Sequence, residues 1–291
     1  MTKKEPYNIQ TEEDLNQVLE AIDKELRDEG VPVTARQLKG WLKFSSRFGL
    51  GLKMSDPLSQ KVMDWFEVRY GDKLKIDYAT GEIAVMIRGD LFKMRVPTMY
   101  GTVQVICDPR FWMDKLGMQI AVNENGPLPV VNVLNCIDEL TESYALTFTL
   151  DEQRELFQIF QFANEASQAI DKPSGAPFIN EAKGDIQASI AHLFEERPQF
   201  GLSKWASLQA VEKFIKAFLS KMGVTPPFTH DLQRLAIMAA SHGLAQLAPA
   251  DLGKIQCSAE VRYGRIVVSA QEAIEAHHTA LKVCSEIARS L

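Results

Sequence analysis

The sequence has few cysteines and no long hydrophobic run. Its four cysteines, Cys107, Cys136, Cys257 and Cys284, lie far apart with no Cys-x-x-Cys pair. That spacing disfavours both a disulfide scaffold and a thiolate zinc site. No apolar stretch approaches the roughly 18–20 residues that cross a bilayer, and the start, MTKKEPYNIQTEED, lacks the hydrophobic segment of a signal peptide. A cytoplasmic protein with reduced thiols and no membrane partner is the expectation. Also missing are a Gly-x-x-x-x-Gly-Lys phosphate loop and a Gly-x-Ser-x-Gly nucleophile turn. A net charge of -6 argues against indiscriminate coating of nucleic acid, though it leaves room for a local basic patch.

What is present is ordinary for a water-soluble chain: 46% hydrophobic and 24% charged residues over 291 positions. That length predicts two domains. Thr11-Glu12-Glu13-Asp14 reads as a capping box opening an acidic helix to about Asp28. A second helix is expected from a cap at Thr34 to about Phe48, and a third from Ser55 to Tyr70. The apolar period then changes to two: Leu74, Ile76 and Tyr78 alternate with Lys73, Lys75 and Asp77. Ala79-Thr80-Gly81 is expected to turn the chain, with Ile83, Val85 and Ile87 returning as a hairpin. Strands are predicted over Leu91–Val96 and Thr102–Cys107. Residues 108–130 read as irregular, with turn residues at Asn123-Glu124-Asn125-Gly126-Pro127. Helices follow at about 131–145 and 150–170, the latter opened by Thr149-Leu150-Asp151-Glu152. Asp171-Lys172-Pro173-Ser174-Gly175-Ala176-Pro177 reads as a linker. Beyond it the pattern is helical: Asn180 to about Glu196, a long helix Lys204–Met222, a helix from a cap at Thr229 to near Gly243, a shorter one at Asp251–Cys257, and a last one opened by Ser269-Ala270-Gln271-Glu272.

The expected fold class is therefore an α+β N-terminal domain over 1–172, with helices and a small antiparallel sheet in the order of a winged helix. A linker at 173–177 and an all-α up-and-down bundle over 178–291 follow. In the N-terminal domain Arg36, Lys39, Lys43 and Arg47 recur at steps of three and four beside Trp41 and Phe44. Such a basic stripe can contact nucleic-acid phosphates, or it can be a solvated face balancing the acidic first helix.

The long C-terminal helix is apolar on two sides, with a thin polar strip of Gln209, Glu212, Lys213 and Lys216 between them. Glu212 and Lys216 form an i, i+4 pair that needs no function to explain it. The order Ala182-Lys183-Gly184-Asp185, then Trp205 to Lys216, then Thr229-His230-Asp231-Leu232, then Val261-Arg262-Tyr263-Gly264 resembles the HEPN domain family. The resemblance covers about residues 178–291. It implies a helical bundle, usually a homodimer, associated with nucleotide or RNA, and in many members metal-independent RNA cleavage. No Gly-Ser with a downstream Asp-x-Asp marks the nucleotidyltransferase domain that often accompanies the family. Read from the residues themselves, Thr229-His230-Asp231 is either a helix start docked on the long helix or, with His230 and Asp231 meeting Lys213 or Lys216, a small polar ligand site; Arg262 and Tyr263 either pack against the same strip or hold a phosphate there.

Cleavage in the family needs Arg followed after about four to six residues by His, because an imidazole must move a proton while a permanent cation stabilises phosphorane charge. This sequence departs from that spacing: seven residues separate Arg234 from His242, and eleven separate Arg265 from His277. A ribonuclease would have to use Arg262 with His277 or His278. Adjacent histidines on a helix point about 100° apart and cannot chelate one ion, so no metal and no cofactor are expected. Three functions stay open: a non-catalytic module binding nucleic acid, nucleotide or a partner protein in a stress, toxin–antitoxin or defence setting; a ribonuclease; and an oligomerisation scaffold.

Overall fold

The computed structural model describes residues 8–53, 56–74, 79–99, 101–112, 119–123 and 126–291. The chain forms two compact units, Met1–Tyr78 and Ala79–Leu291. The first holds α1 (Glu12–Asp28), α2 (Val33–Phe48), α3 (Pro57–Tyr70) and a 3-10 turn, Gly71–Leu74. Thr11 caps α1 with the expected box: its hydroxyl accepts from the Asp14 amide, and the Asp14 carboxylate accepts from the Thr11 amide. The second helix starts two residues earlier than its sequence suggests. Pro32, not Thr34, is its N-cap, since proline presets the entry φ without offering a side-chain acceptor. The start at Ser55 and the alternating residues Lys75, Ile76, Asp77 and Tyr78 lie outside the described residues.

Leu19, Ile22, Leu26, Phe44, Val62 and Phe66 form the core of this unit. Fully burying a side chain of this size contributes about 1.5–3 kcal/mol. Within the same layer Asp23 has no exposed surface. Its carboxylate accepts from Arg27 at 2.7 Å and from the Tyr70 hydroxyl at 2.7 Å, with Arg69 at 3.5 Å and Arg36 at 3.8 Å.

The second unit opens on β1 (Ala79–Ile87) and β2 (Asp90–Pro97), paired antiparallel. The hairpin turns at Arg88-Gly89, not at Ala79-Thr80-Gly81, because both Arg88 (φ 51°) and Gly89 (φ 97°) adopt the left-handed conformation that a two-residue hairpin loop requires. Arg88 is held there by distant partners. Its guanidinium donates to Glu152 at 2.6 and 2.9 Å and to the Thr147 carbonyl at 2.9 Å, and it lies over the rings of Tyr144 and Phe148. A second sheet has the order β3 (Gln104–Ile106), β5 (Gly126–Asn132), β4 (Gln119–Asn123), with β3 parallel and β4 antiparallel to β5. The region expected to be irregular thus contains two strands; residues 124–125 of the expected turn lie outside the described ones. The helix expected at 131–145 is instead the end of β5, a 3-10 turn and the single turn α4 (Glu142–Ala145).

Then come α5 (Leu150–Asp171), α6 (Ile179–Ala191), α7 (Phe200–Lys221), α8 (Leu232–Ser241), α9 (Pro249–Ile255) and α10 (Ala270–Ala288). The capping boxes at Thr149 and Ser269 form as their sequences imply. Asp231, not Thr229, caps α8, accepting from the Arg234 amide at 3.0 Å. Four helices, α6, α8, α9 and α10, pack around α7, but they do not form a core of their own. Ile83 and Val85 of β1, Met94 of β2, Phe160 of α5, Phe214 of α7 and Cys284 of α10 share one buried cluster. The segment 173–177 lies between α5 and α6 within this unit. The β1–β2 hairpin packs against α5 and α10 as part of this core. Among the described residues no helix is long and apolar enough to cross a membrane.

Candidate ligand site

The polar strip of α7 is buried at its centre. The side chain of Glu212 is only 5% exposed, and both of its oxygens are committed. Oε1 accepts from Lys216 Nζ at 2.6 Å, one turn on along the helix. Oε2 accepts from His230 Nδ1 at 2.7 Å and from the Gln209 amide at 3.2 Å. A carboxylate taken out of water is tolerated only when paired and fully hydrogen-bonded in this way. Lys213 turns to the other side and pairs with Asp185 of α6 at 2.5 Å, while burial raises the Asp185 carboxyl above its ordinary range. Both lysines are thus internal ties, Lys216 within α7 and Lys213 between α6 and α7.

Removing the central carboxylate has a defined expected result. Glu212→Gln leaves Lys216 without its counter-charge and weakens the grip on His230, so a loss of about 2 kcal/mol is expected. Thermal melting measures the loss, and the proton spectrum of His230 reports the freed ring. An unchanged melt would show that the strip is not a structural tie.

His230 stands where the buried strip reaches solvent, with 51% of its side chain exposed. Its Nδ1 donates to the Glu212 carboxylate, which leaves Nε2 without a part in that contact. The ring packs edge-on to Trp205 at 5.4 Å and lies 6.3 Å from Phe228. Gln256 fixes the local backbone, accepting from the Leu232 amide at 3.0 Å and donating to the His230 carbonyl at 3.2 Å. Together with Trp205, Asp231, Ser258 and Ala259 these residues line an open depression of about 690 Å³.

The 3-10 turn Ala259–Tyr263 brings Arg262 and Tyr263 to the same face. It can lie so close to α7 because residue 201 is glycine: a Cβ there would stand 2.4 Å from the Val261 carbonyl oxygen. The Arg262 guanidinium is centred 5.2 Å over the Trp205 ring and 5.6 Å over the Tyr263 ring. Phe228, His230, Trp205, Arg262 and Tyr263 are consequently linked by edge-on and tilted ring contacts, with one cation among them. Trp205 and Phe228 were not among the site residues expected from sequence. The signal for Phe228 was Pro226-Pro227, which stiffens the loop that presents it.

The other expected site residues go elsewhere. His277 is fully buried; its Nδ1 lies 2.7 Å from the Ser189 hydroxyl, which in turn donates to the Ile186 carbonyl. Burial, with some repulsion from His278, pushes its pKa down to about 3. His278 donates from Nε2 to the Ala84 carbonyl of β1 at 2.6 Å and is likewise lowered by burial. These two side chains anchor α10 to α6 and β1; a ring without solvent contact cannot exchange a proton with an RNA substrate, which removes His277 as a partner for Arg262.

In the first unit, Lys43 pairs with Glu29 at 2.5 Å and Glu25 at 3.1 Å, Arg47 pairs with Glu25, and Arg36 donates to the Val31 carbonyl and the Tyr70 hydroxyl. Of the basic stripe, only Lys39 is exposed. The acidic first helix neutralises the other three. Among the described residues no three His, Cys, Asp or Glu side chains gather as a metal site would require.

No curated protein and no solved structure matches the chain. The residues before 178 match no family, and the bundle helices with the strip, the depression and the Arg262 turn all fall within the matching segment. A HEPN domain is present at residues 178–290, the family that this C-terminal segment matches.

Proposed function

We propose that this chain is a non-catalytic binding module whose HEPN domain takes a nucleic acid or nucleotide at the depression beside Trp205, His230 and Arg262. One observation carries the reading. Arg262 lies against two aromatic rings, one of them Trp205 of the depression's lining, and no carboxylate among the described residues pairs with it. Lys213 and Lys216, by contrast, are consumed by Asp185 and Glu212. A permanent cation on aromatic faces suits a phosphate with a base stacked beside it.

The test is binding of a labelled single-stranded RNA oligonucleotide and of ATP to wild type, Arg262→Ala and Lys213→Ala. Arg262→Ala is expected to lose about tenfold in affinity, or about 1.4 kcal/mol, for whichever ligand binds. Lys213→Ala is expected to bind like wild type. Equal binding by wild type and Arg262→Ala would end the proposal. Incubating the same RNA without metal addresses the ribonuclease reading; intact RNA is expected, given the burial of His277. The scaffold reading draws on a separate observation, the exposed apolar residues Val267 and Ile237, and predicts a dimer with no affinity for nucleic acid.

A further inference from the structure

Among the described residues of the first unit three large apolar side chains are exposed: Val68 is 89% exposed, Leu42 51% and Leu38 47%. Val68 lies in an open groove of about 630 Å³ between α1 and α3, and both leucines lie on α2. The groove has the form of a seat for a helix. From α3 it is lined by Lys61, Asp64, Trp65, Val68 and Arg69, the i, i+3, i+4, i+7, i+8 stripe by which one helix packs on another. From α1 it takes Glu12, Leu15, Asn16 and Glu20, at steps of three, one and four. Each wall runs for about two turns, or about 12 Å, so the groove accepts two turns of a further helix.

Charge narrows the choice of helix. Arg69 is already held, with Asp23 at 3.5 Å and Glu20 at 3.7 Å, and its guanidinium is centred 4.9 Å over the Trp65 ring. Asp64 accepts only from the Gln60 amide, at 2.7 Å, and Glu12 likewise has no cation beside it among the described residues. Lys61 is the unpaired cation of the lining, so the apolar floor of Leu15, Trp65 and Val68 sits in a rim with acid in excess. The outer side of α2 carries the complement. Leu38 and Leu42 stand one turn apart on one face, and beside them is Lys39, the member of the basic stripe that no acid neutralises. This ridge cannot enter the groove of its own unit. Phe44 fixes α2 in the core, and Gly40 lies so close to Phe66 that a Cβ would stand 2.3 Å from that ring.

Independently of the ligand site proposed above, we infer that the α1–α3 groove takes α2 of a second copy of this chain. Leu38 and Leu42 cover Leu15, Trp65 and Val68, and Lys39 meets the acids of the rim. Groove and ridge are different surfaces, so the contact is head-to-tail. Each added copy brings a free groove and a free ridge, and association runs on into a ring or a chain of copies. The apolar area is small, so each contact is weak and forms at high local concentration.

Sedimentation velocity of the full chain, followed up to about 1 mM because weak contacts fall in that range, gives the test. The average mass of wild type is expected to keep rising with concentration without levelling at a dimer. Leu42→Glu on the ridge and Val68→Glu in the groove both change exposed positions, and circular dichroism checks that each variant folds. Each is expected to weaken association by about tenfold or more, because an unpaired carboxylate would be pressed against apolar surface. Lys39→Glu is expected to weaken it too. The decisive sample is the mixture of Leu42→Glu with Val68→Glu. One keeps its groove and the other its ridge, so the mixture is expected to regain the contact that neither variant makes alone. Three outcomes overturn the inference. A wild type of constant mass leaves the groove to a helix of another protein. Association that neither Leu42→Glu nor Val68→Glu weakens belongs to another surface, such as the bundle. A mixture that stays dissociated marks a contact between like surfaces.

Discussion

Asp23→Ala is expected to lower the stability of the N-terminal unit by about 3–5 kcal/mol. The side chain is fully buried, and Arg27, Arg36, Arg69 and the Tyr70 hydroxyl all converge on it. Removing it leaves cations from three helices facing one another around a vacated space. Arg36, itself only 12% exposed, has little water to turn to. Asp23→Asn keeps the shape and some acceptor capacity but loses the charge, so an intermediate loss is expected. A unit of this size has only a small margin of stability, and the alanine variant should unfold it wholly or nearly so. Amide hydrogen exchange resolves the two units: protection should collapse across α1, α2 and α3 while α7 and α10 keep theirs. Unchanged protection in the three helices would show that the arginine cluster does not hold them.

The second large effect is on acid stability, and it comes from His277. Its pKa is about 3 in the folded protein against an ordinary value of 6.5. Above pH 6.5 the ring is neutral whether folded or unfolded and costs nothing. Between pH 6.5 and about 3 the unfolded chain takes up a proton that the folded protein refuses, so stability falls with pH throughout that window. At about 1.36 kcal/mol per pH unit the full loss is roughly 5 kcal/mol. His277→Gln retains a hydrogen-bonding partner for Ser189 without a group that titrates in this range. Its stability should therefore fall less steeply than that of wild type from pH 6.5 downward, as measured by denaturant midpoints at each pH. Parallel slopes for the two proteins would exclude His277 as the source.

The features legible in sequence were those in which cause and effect lie within a few residues. The capping boxes at Thr11, Thr149 and Ser269 could be read because each is complete within four positions. The turn at Arg88-Gly89 could not, because arginine rarely adopts positive φ and the residues that hold it there, Thr147 and Glu152, lie about sixty positions downstream. The Pro- and Gly-containing segment 173–177 looked like a domain boundary for a similar reason: a sequence shows that helices stop, not which core their apolar faces join. At the site, Glu212 and Lys216 were visible as a helix pair, but the arrival of His230 on the same carboxylate depends on how the loop after α7 folds back. The family segment itself was legible, since its spacings are local to each helix.

The HEPN match begins at residue 178, yet the core that supports it begins at residue 79. His278 of α10 bonds to strand β1, and Phe160 of α5 is buried in the cluster that holds Phe214 and Cys284. The family segment is therefore a unit of ancestry without being a unit of folding. A recombination event joining a foreign sequence at residue 178 would carry across every family residue and leave behind one wall of the interior. The bundle is expected to keep a complete interior only when it is carried together with the hairpin and α5.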